Sequence, residues 1–323
     1  MRMIAGLLAA TALGAVALPA AAETWDMPLA YPATNFHSET AASFATCVRD
    51  ATGGEIDIQT HPNGSLFSGG DIKRAVQTGQ ALIGERLLSA HANEDALFGY
   101  DSIPFLATSF DASVKLAAAA VPALSEVLDS QNLVHLYSVP WPPQGLYFKK
   151  EVNSVADMAG IKFRAYNAAT ARLAELAGMQ PVQIEAAELS QALATGVAES
   201  FISSGSTGYD EKVWEHLTHF YEVDAWLPRN TVFVNKDAWG GLSAEVQTAM
   251  TDCAAKAGEE GLTKSKDLTQ FYLNGLSEGG MTVGPPGDQL RADLLAIGET
   301  MTAEWLEATG AQGQAIVDAF KAN

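Results

Sequence analysis

The stretch KFRAYNAATARLAELAGMQPVQIEAAELSQALATGVAESFI, residues 162–202, alternates two kinds of local pattern. Lys162 to Ala165, Pro181 to Ile184 and Val197 to Ile202 are short β-type runs. Ala169 to Leu176 and Ala186 to Ala194 carry helical periodicity, and Gly196 follows the second helix where a left-handed cap would stand. Strand and helix alternating at this spacing predict an α/β fold whose sheets are covered by helices.

The alternation extends in both directions. Upstream, Thr24 to Ala30 reads as a strand, Ser38 to Ala51 as an amphipathic helix, Glu55 to Thr60 as a strand and Ala81 to Gly84 as a buried strand. Asp71 to Thr78 is a short helix between them. Asp111 to Leu128 is an Ala-rich helix that Asp111 is placed to cap and Pro122 to kink or divide. Leu133 to Val139 is β-type and leads into Trp141-Pro142-Pro143, where helix is excluded and a new unit begins. Leu146 to Lys149, Phe220 to Ala225 and Thr231 to Asn235 are further strands, and Trp226-Leu227-Pro228-Arg229 is a second crossing between units. Ser243 to about Asn274 is helical despite Gly258 and Gly261, long enough to bridge two domains. Met281 to Val283, a Gly284-Pro285-Pro286-Gly287 turn and two helices, Asp288 to Ala308 and Gln312 to Phe320, close the chain.

The first residues read as a secretory leader. Met1-Arg2-Met3 supplies a short basic start, Ile4 to Leu18 an apolar segment, and Ala20-Ala21-Ala22 a small-residue site before Glu23. Processing is expected near Ala22/Glu23, with residues 1–22 removed and no Cys after the site to take a lipid. About 300 remaining residues exceed what one core usually serves, so two domains are expected. The 323-residue chain has 38 acidic and 19 basic residues and a formal net charge of -19. That charge opposes binding to nucleic acid or anionic lipid, and it requires any anion to be held by locally placed cations or N–H groups.

Reactive constellations are missing from the pattern. There is no Gly-rich phosphate loop, nucleophile elbow, His-Glu-x-x-His or Cys-x-x-Cys. His216 and His219, three apart on an expected helix, read as a solvated or packed pair rather than metal ligands. Gly205-Ser206-Thr207-Gly208 reads as an ordinary small-residue loop after a strand rather than an anion cradle, and Asp71, Glu85 and Glu199 as solvated charges. No catalytic residue, metal or cofactor is assigned. Cys47 and Cys253 both fall on apolar helix stripes, beside Phe44 and Val48 and after Val246 and Met250, and read as two unpaired core thiols.

Met158-Ala159-Gly160-Ile161-Lys162-Phe163-Arg164, entered from Asn153-Ser154-Val155-Ala156-Asp157-Met158, resembles the solute-binding subunits of TRAP (tripartite ATP-independent periplasmic) transporters. Asn63-Gly64-Ser65-Leu66, Ile103-Pro104-Phe105-Leu106, Gly178 to Val182, Glu188 to Gly196, and Val232 to Trp239 with Leu242 agree with that family in order and spacing. The resemblance covers nearly the whole mature chain. It implies a two-domain periplasmic-binding-protein clamshell with a long helix bridging both domains and the ligand in the cleft. Residues 23–140 with 230–270 would form domain I, and 141–229 with 271–323 domain II. It also implies a monomer in the periplasm that captures a small organic acid and passes it to the TRAP membrane permease. The same clamshell serving a sensor kinase is the alternative, and an extracytoplasmic enzyme the remote one.

The resemblance assigns Arg164 to the substrate carboxylate, which a guanidinium fork matches bidentately. Asn167 falls at a second polar position, and Gln144 where some members carry another cation; a neutral amide there argues against a second ligand carboxylate. Where the family reads Gly-Val-Val-Asp-Gly this chain has Gly196-Val197-Ala198-Glu199-Ser200, and Ile202 and Ser203 replace the polar pair that often follows. Ser203 and Ser204 then become ligand contacts or ordinary strand-end serines. Tyr31, Phe36, Trp141, Tyr147 and Trp226 flank the expected cleft and suggest an apolar or aromatic ligand body, with a sugar acid or C4-dicarboxylate as alternatives. Arg86 is a second anion contact or a surface ion pair.

Overall fold

A computed structural model describes residues 22–322. The leader expected over residues 1–22 lies outside the described residues apart from Ala22.

The first half builds two small sheets. Strand β1 (Glu23–Pro28) leads to helix α1 (Phe36–Ala51) and then to β2 (Ile56–His61), which pairs parallel with β1. Asn35 caps α1, its side chain accepting from the His37 amide. After the short α2 (Ile72–Gln77) comes β3 (Ile83–Leu87), buried along its whole length. Helix α3 (Phe110–Ser130) runs unbroken through Pro122. Its cap is Ser109, which accepts from the Ala112 amide, and not Asp111, which stands inside the first turn. Strand β4 (Leu133–Pro140) follows.

The second half is one six-stranded sheet. Five of its strands are β5 (Gly145–Phe148), β6 (Lys162–Ala165), β7 (Gln180–Gln183), β8 (Ser200–Ser203) and β9 (His219–Tyr221), joined by α4 (Ala168–Leu176), α5 (Leu189–Thr195) and α6 (Gly205–Asp210), and the sixth comes from the end of the chain. Gly196 ends α5 in the left-handed region (φ 71°), as the sequence predicts. The chain then returns as β10 (Arg229–Asn235) to the first half, where it lies antiparallel between β3 and β4. All seven of its residues are buried, with an apolar centre at Val232-Phe233-Val234 and buried polar residues, Arg229, Asn230, Thr231 and Asn235, on either side. Helix α7 (Lys236–Gly241) leads to α8 (Ala244–Glu278), then β11 (Thr282–Gly284) joins the six-stranded sheet beside β9. Helix α9 (Asp288–Ala322) breaks at Gly310, close to the expected join between two helices.

The protein is thus a two-domain α/β clamshell. The crossings expected at Trp141-Pro142-Pro143 and at Trp226 run side by side: the Trp141 amide donates to the Pro228 carbonyl at 2.8 Å and the Gln144 amide to the Trp226 carbonyl at 3.0 Å. Helix α8 packs on α1 and β4 in one half and on α6 and β11 in the other, so it bridges both. Most buried residues form one cluster, and a second, centred on Tyr147, Phe201 and Phe220, fills one face of the six-stranded sheet.

Two readings are corrected. Cys47 and Cys253 form a disulfide between α1 and α8, Cα atoms 5.8 Å apart and 206 residues apart in sequence. Their shared apolar setting is real for Cys253, but the packing of two distant helices that pairs them has no local signal. His216 closes a single 3-10 turn and His219 opens β9, so they do not share a helix face.

Candidate functional site

A cleft between the two halves opens into a cavity of about 30 Å³, lined by Tyr31, Arg86, Leu87, Trp141, Gln144, Arg164, Tyr166, Glu185, Ala186, Ser203, Thr207 and Pro228. One enclosed water needs on the order of 10–15 Å³ on the same measure. The space is on the scale of a compact small molecule.

Arg164 comes from β6 and is 3% exposed. Its Nε donates to the Ile184 carbonyl at 2.8 Å, and its guanidinium carbon lies 5.2 Å from the Tyr166 ring centre. Among the described residues it has no other hydrogen bond and no ion pair, so both Nη groups are left for a ligand. Burial lowers its pKa from the ordinary value, because the charged form is the one that loses hydration, with Tyr166, Tyr31 and Glu185 pulling the other way.

Arg86, from β3, is also buried but is paired: Nη2 donates to both Glu185 oxygens at 3.0 and 3.1 Å. The ion pair crosses the cleft rather than lying on the surface, since Glu185 follows β7 in the other half. Tyr31 faces Trp141 edge-on at 4.8 Å, and burial pushes its hydroxyl up to about 12, keeping it a neutral donor. Among the described residues that hydroxyl makes no hydrogen bond.

A polar chain fixes the wall behind these groups. Trp226 Nε1 donates to the Tyr166 hydroxyl at 3.0 Å, which donates to Gln144 Oε1 at 3.2 Å, while Gln144 Nε2 donates to the Pro142 carbonyl. Trp141 Nε1 donates to Asn230 Oδ1 at 2.8 Å, and Asn230 Nδ2 to Glu85 Oε1 at 2.7 Å. Glu85 is buried, contrary to its reading as a solvated charge, and burial pushes its carboxyl up to about 7. The Ser203 hydroxyl donates to Thr207 Oγ1 at 2.8 Å, presenting two hydroxyls at one rim. Residues 205–208 are the start of α6 rather than a loop.

Of the sequence candidates, Arg164, Gln144, Trp141, Tyr31, Ser203 and Arg86 line the cavity together. Asn167, Phe36 and Trp226 do not. Asn167 caps α4 through Oδ1 and spends Nδ2 on Ser89 and Ser102, so it ties the halves together with no amide group to spare. Phe36 backs Trp141 at 5.5 Å. Ser204 caps α6, and Tyr147 stacks on Phe201 in the core. Sequence reasoning missed Tyr166, Glu185 and Thr207 as cavity residues. An aromatic residue one place past the strand that carries Arg164 was an available signal for Tyr166; Glu185 had none. Among the described residues no cluster of metal-ligating side chains occurs.

The fold and this cleft are those of a solute receptor, and residues 30–308 match the family model of bacterial extracellular solute-binding protein, family 7; the chain belongs to that family. Its members are extracytoplasmic receptors that bind small organic acids and work with a membrane permease. Three relatives place it more closely. A marine metagenome TRAP solute-binding protein specific for pyroglutamate, solved with co-purified pyroglutamate, is 58% identical with a TM-score of 0.93, covering 94% of this chain and 99% of that one. DctP6 of Bordetella pertussis, an extracytoplasmic solute receptor binding pyroglutamic acid, is 45% identical with a TM-score of 0.92, covering 93% and 100%. The C4-dicarboxylate-binding periplasmic protein DctP of Rhodobacter capsulatus is 24% identical over 87% of this chain and 86% of its own length. This chain is a TRAP-type solute-binding protein.

Proposed function

We propose that the protein captures pyroglutamate, or a closely similar compact monocarboxylate, in the periplasm after loss of a leader, and delivers it as a monomer to a TRAP permease without acting on it chemically. The observation that carries the reading is Arg164: a buried guanidinium, open on both Nη groups, at the wall of the cleft cavity. A carboxylate supplies the missing counter-charge and accepts two parallel N–H bonds. Tyr31, Gln144, Ser203 and Thr207 offer hydrogen bonds to a lactam, and Trp141, Leu87 and Tyr166 enclose its apolar ring. The ligand specificity of the relative at 58% identity supports the same assignment.

Residues 23–140 with 230–270 and 141–229 with 271–323 are proposed as the two lobes. Because cavity residues come from both, a bound ligand has higher affinity for the closed state and drives closure. A thermal-shift series with L-pyroglutamate tests this on the parent and on Arg164→Ala. Ligand at a hundred times its dissociation constant adds roughly 2.7 kcal/mol to the parent. The variant should give no shift at the same concentration. An equal shift in both would make Arg164 structural, and stabilisation by neutral solutes alone would end the carboxylate reading.

A further inference from the structure

If the cavity is a carboxylate site, its charge balance decides which carboxylates enter. Three ionisable side chains of full charge line it: Arg164, Arg86 and Glu185. The sum is two positive charges less one negative, leaving one cation uncompensated. The two arginines are not equivalent. Arg164 makes no ion pair among the described residues and feels Glu185 only at a distance, whereas both oxygens of Glu185 are engaged by Arg86 Nη2. Gln144, on the same wall, is a neutral amide already bonded to Tyr166 and Pro142.

The Arg86–Glu185 pair is also seated tightly. A Cβ on Gly69 would stand 2.6 Å from Glu185 Oε2 and 2.7 Å from Arg86 Nη1, so the backbone there admits no side chain without displacing the pair. Arg86 Nε is buried with no hydrogen-bond partner. Without Glu185, Arg86 would therefore be a second buried guanidinium lacking a counter-charge, and such a group recruits an anion.

We infer that Glu185 sets the charge of the accepted ligand: by neutralising Arg86 across the cleft it leaves room for one carboxylate, on Arg164, and repels a second. A dicarboxylate would bring its far end against either the Glu185 carboxylate or a neutral amide. That repulsion supplies selectivity which the contacts to the first carboxylate cannot. This inference rests on the reading of Arg164 as the carboxylate clamp.

Calorimetric titration of the parent, Glu185→Gln and the double variant Arg86→Gln/Glu185→Gln with L-pyroglutamate, succinate and glutarate tests it. The parent should bind pyroglutamate and discriminate against both dicarboxylates at least a hundredfold. Glu185→Gln, which keeps the side-chain volume, should narrow that ratio at least tenfold by tightening dicarboxylate binding. The double variant restores a single cation and should restore the discrimination; it also removes both members of the pair, so it tests the idea even if Glu185→Gln fails to fold. Unchanged discrimination in Glu185→Gln, with pyroglutamate still bound, overturns the role of Glu185 and leaves the carboxylate reading standing. Dicarboxylate binding by the double variant overturns it equally. A parent that binds none of the three acids overturns the carboxylate reading itself, and this inference with it.

Discussion

Two buried arginines, about equally withdrawn from water, are treated in opposite ways. Arg229, at the start of β10, donates from Nε to Ser138 Oγ at 2.9 Å, from Nη1 to Ser113 Oγ at 3.3 Å and from Nη2 to the Ser138 carbonyl at 3.0 Å. Its amide donates to Asp101, a second buried charge a short distance away. Arg164 has one hydrogen bond, to a carbonyl, and an aromatic ring for company. Burial lowers the pKa of both. The difference lies in what compensates it: Arg229 is satisfied by the fold, while Arg164 is completed only by something that enters from outside. A buried group that costs free energy until a ligand arrives is what makes closure conditional on the ligand.

The two arginines should differ most in what they contribute to stability. Replacing Arg229 with Met removes its three side-chain hydrogen bonds to Ser138 and Ser113 and takes a cation from beside Asp101, so unfolding free energy should fall by about 2–4 kcal/mol. Replacing Arg164 with Met removes an uncompensated buried cation, and ligand-free stability should hold or rise by about 1 kcal/mol. Urea unfolding of both variants without ligand decides the matter. A larger loss for Arg164→Met than for Arg229→Met would mean that Arg164 is also held by the fold, and the comparison would collapse.

A second, smaller effect sharpens the Arg229 side. Burial pushes the Asp101 carboxyl up to about 7, with the Arg229 amide and the Ser102 hydroxyl pulling the other way. The unfolded carboxyl titrates near the ordinary Asp value of 3.8, so between these limits the folded state holds the extra proton and stability falls as pH rises. His37, His91 and His135 oppose this: burial lowers their pKa values, so the unfolded state holds more protons below about 6.5 and stability falls as pH drops. Asp101→Asn isolates one contribution and keeps an acceptor for the Arg229 amide. From pH 5 to 7 the parent should lose stability relative to this variant by on the order of 1 kcal/mol per pH unit. A constant difference across that range would show that Asp101 stays ionised beside Arg229.

These two environments also explain what the sequence discloses. Strand and helix alternation, both crossings and the bridging helix were legible because each depends on periodicity or on Pro and Gly within a few residues. The place of Arg164 on the cavity wall was legible through the motif around it. Asn167 was not, since a polar residue between a strand and a helix serves equally as a ligand contact and as a helix cap, and here it caps α4. Glu185 and the Cys47–Cys253 bond depend on partners 99 and 206 residues away, which no local spacing encodes. Glu85 carries the same lesson: nothing near it in sequence shows that β10 brings Asn230 beside its buried carboxyl.

The ring beneath Arg164 belongs to Tyr166. Tyr166 has two roles: its ring faces the guanidinium, and its hydroxyl relays Trp226 to Gln144. Tyr166→Phe keeps the first and removes the second. A cation over an aromatic face is worth about 0.5–1 kcal/mol at exposed sites and more when desolvated, and that contribution survives the change. What is lost is one hydrogen bond holding Gln144 and the partner of a buried indole N–H, a cost that falls on folding at about 1–3 kcal/mol rather than on the ligand. Pyroglutamate affinity, measured by calorimetry on the folded variant, should therefore fall about threefold, against the loss of detectable binding in Arg164→Ala. If Tyr166→Phe weakens binding as severely as Arg164→Ala, the hydroxyl is itself a ligand contact. The boundary between groups satisfied by the fold and groups completed by the ligand would then run through Tyr166 rather than around Arg164 alone.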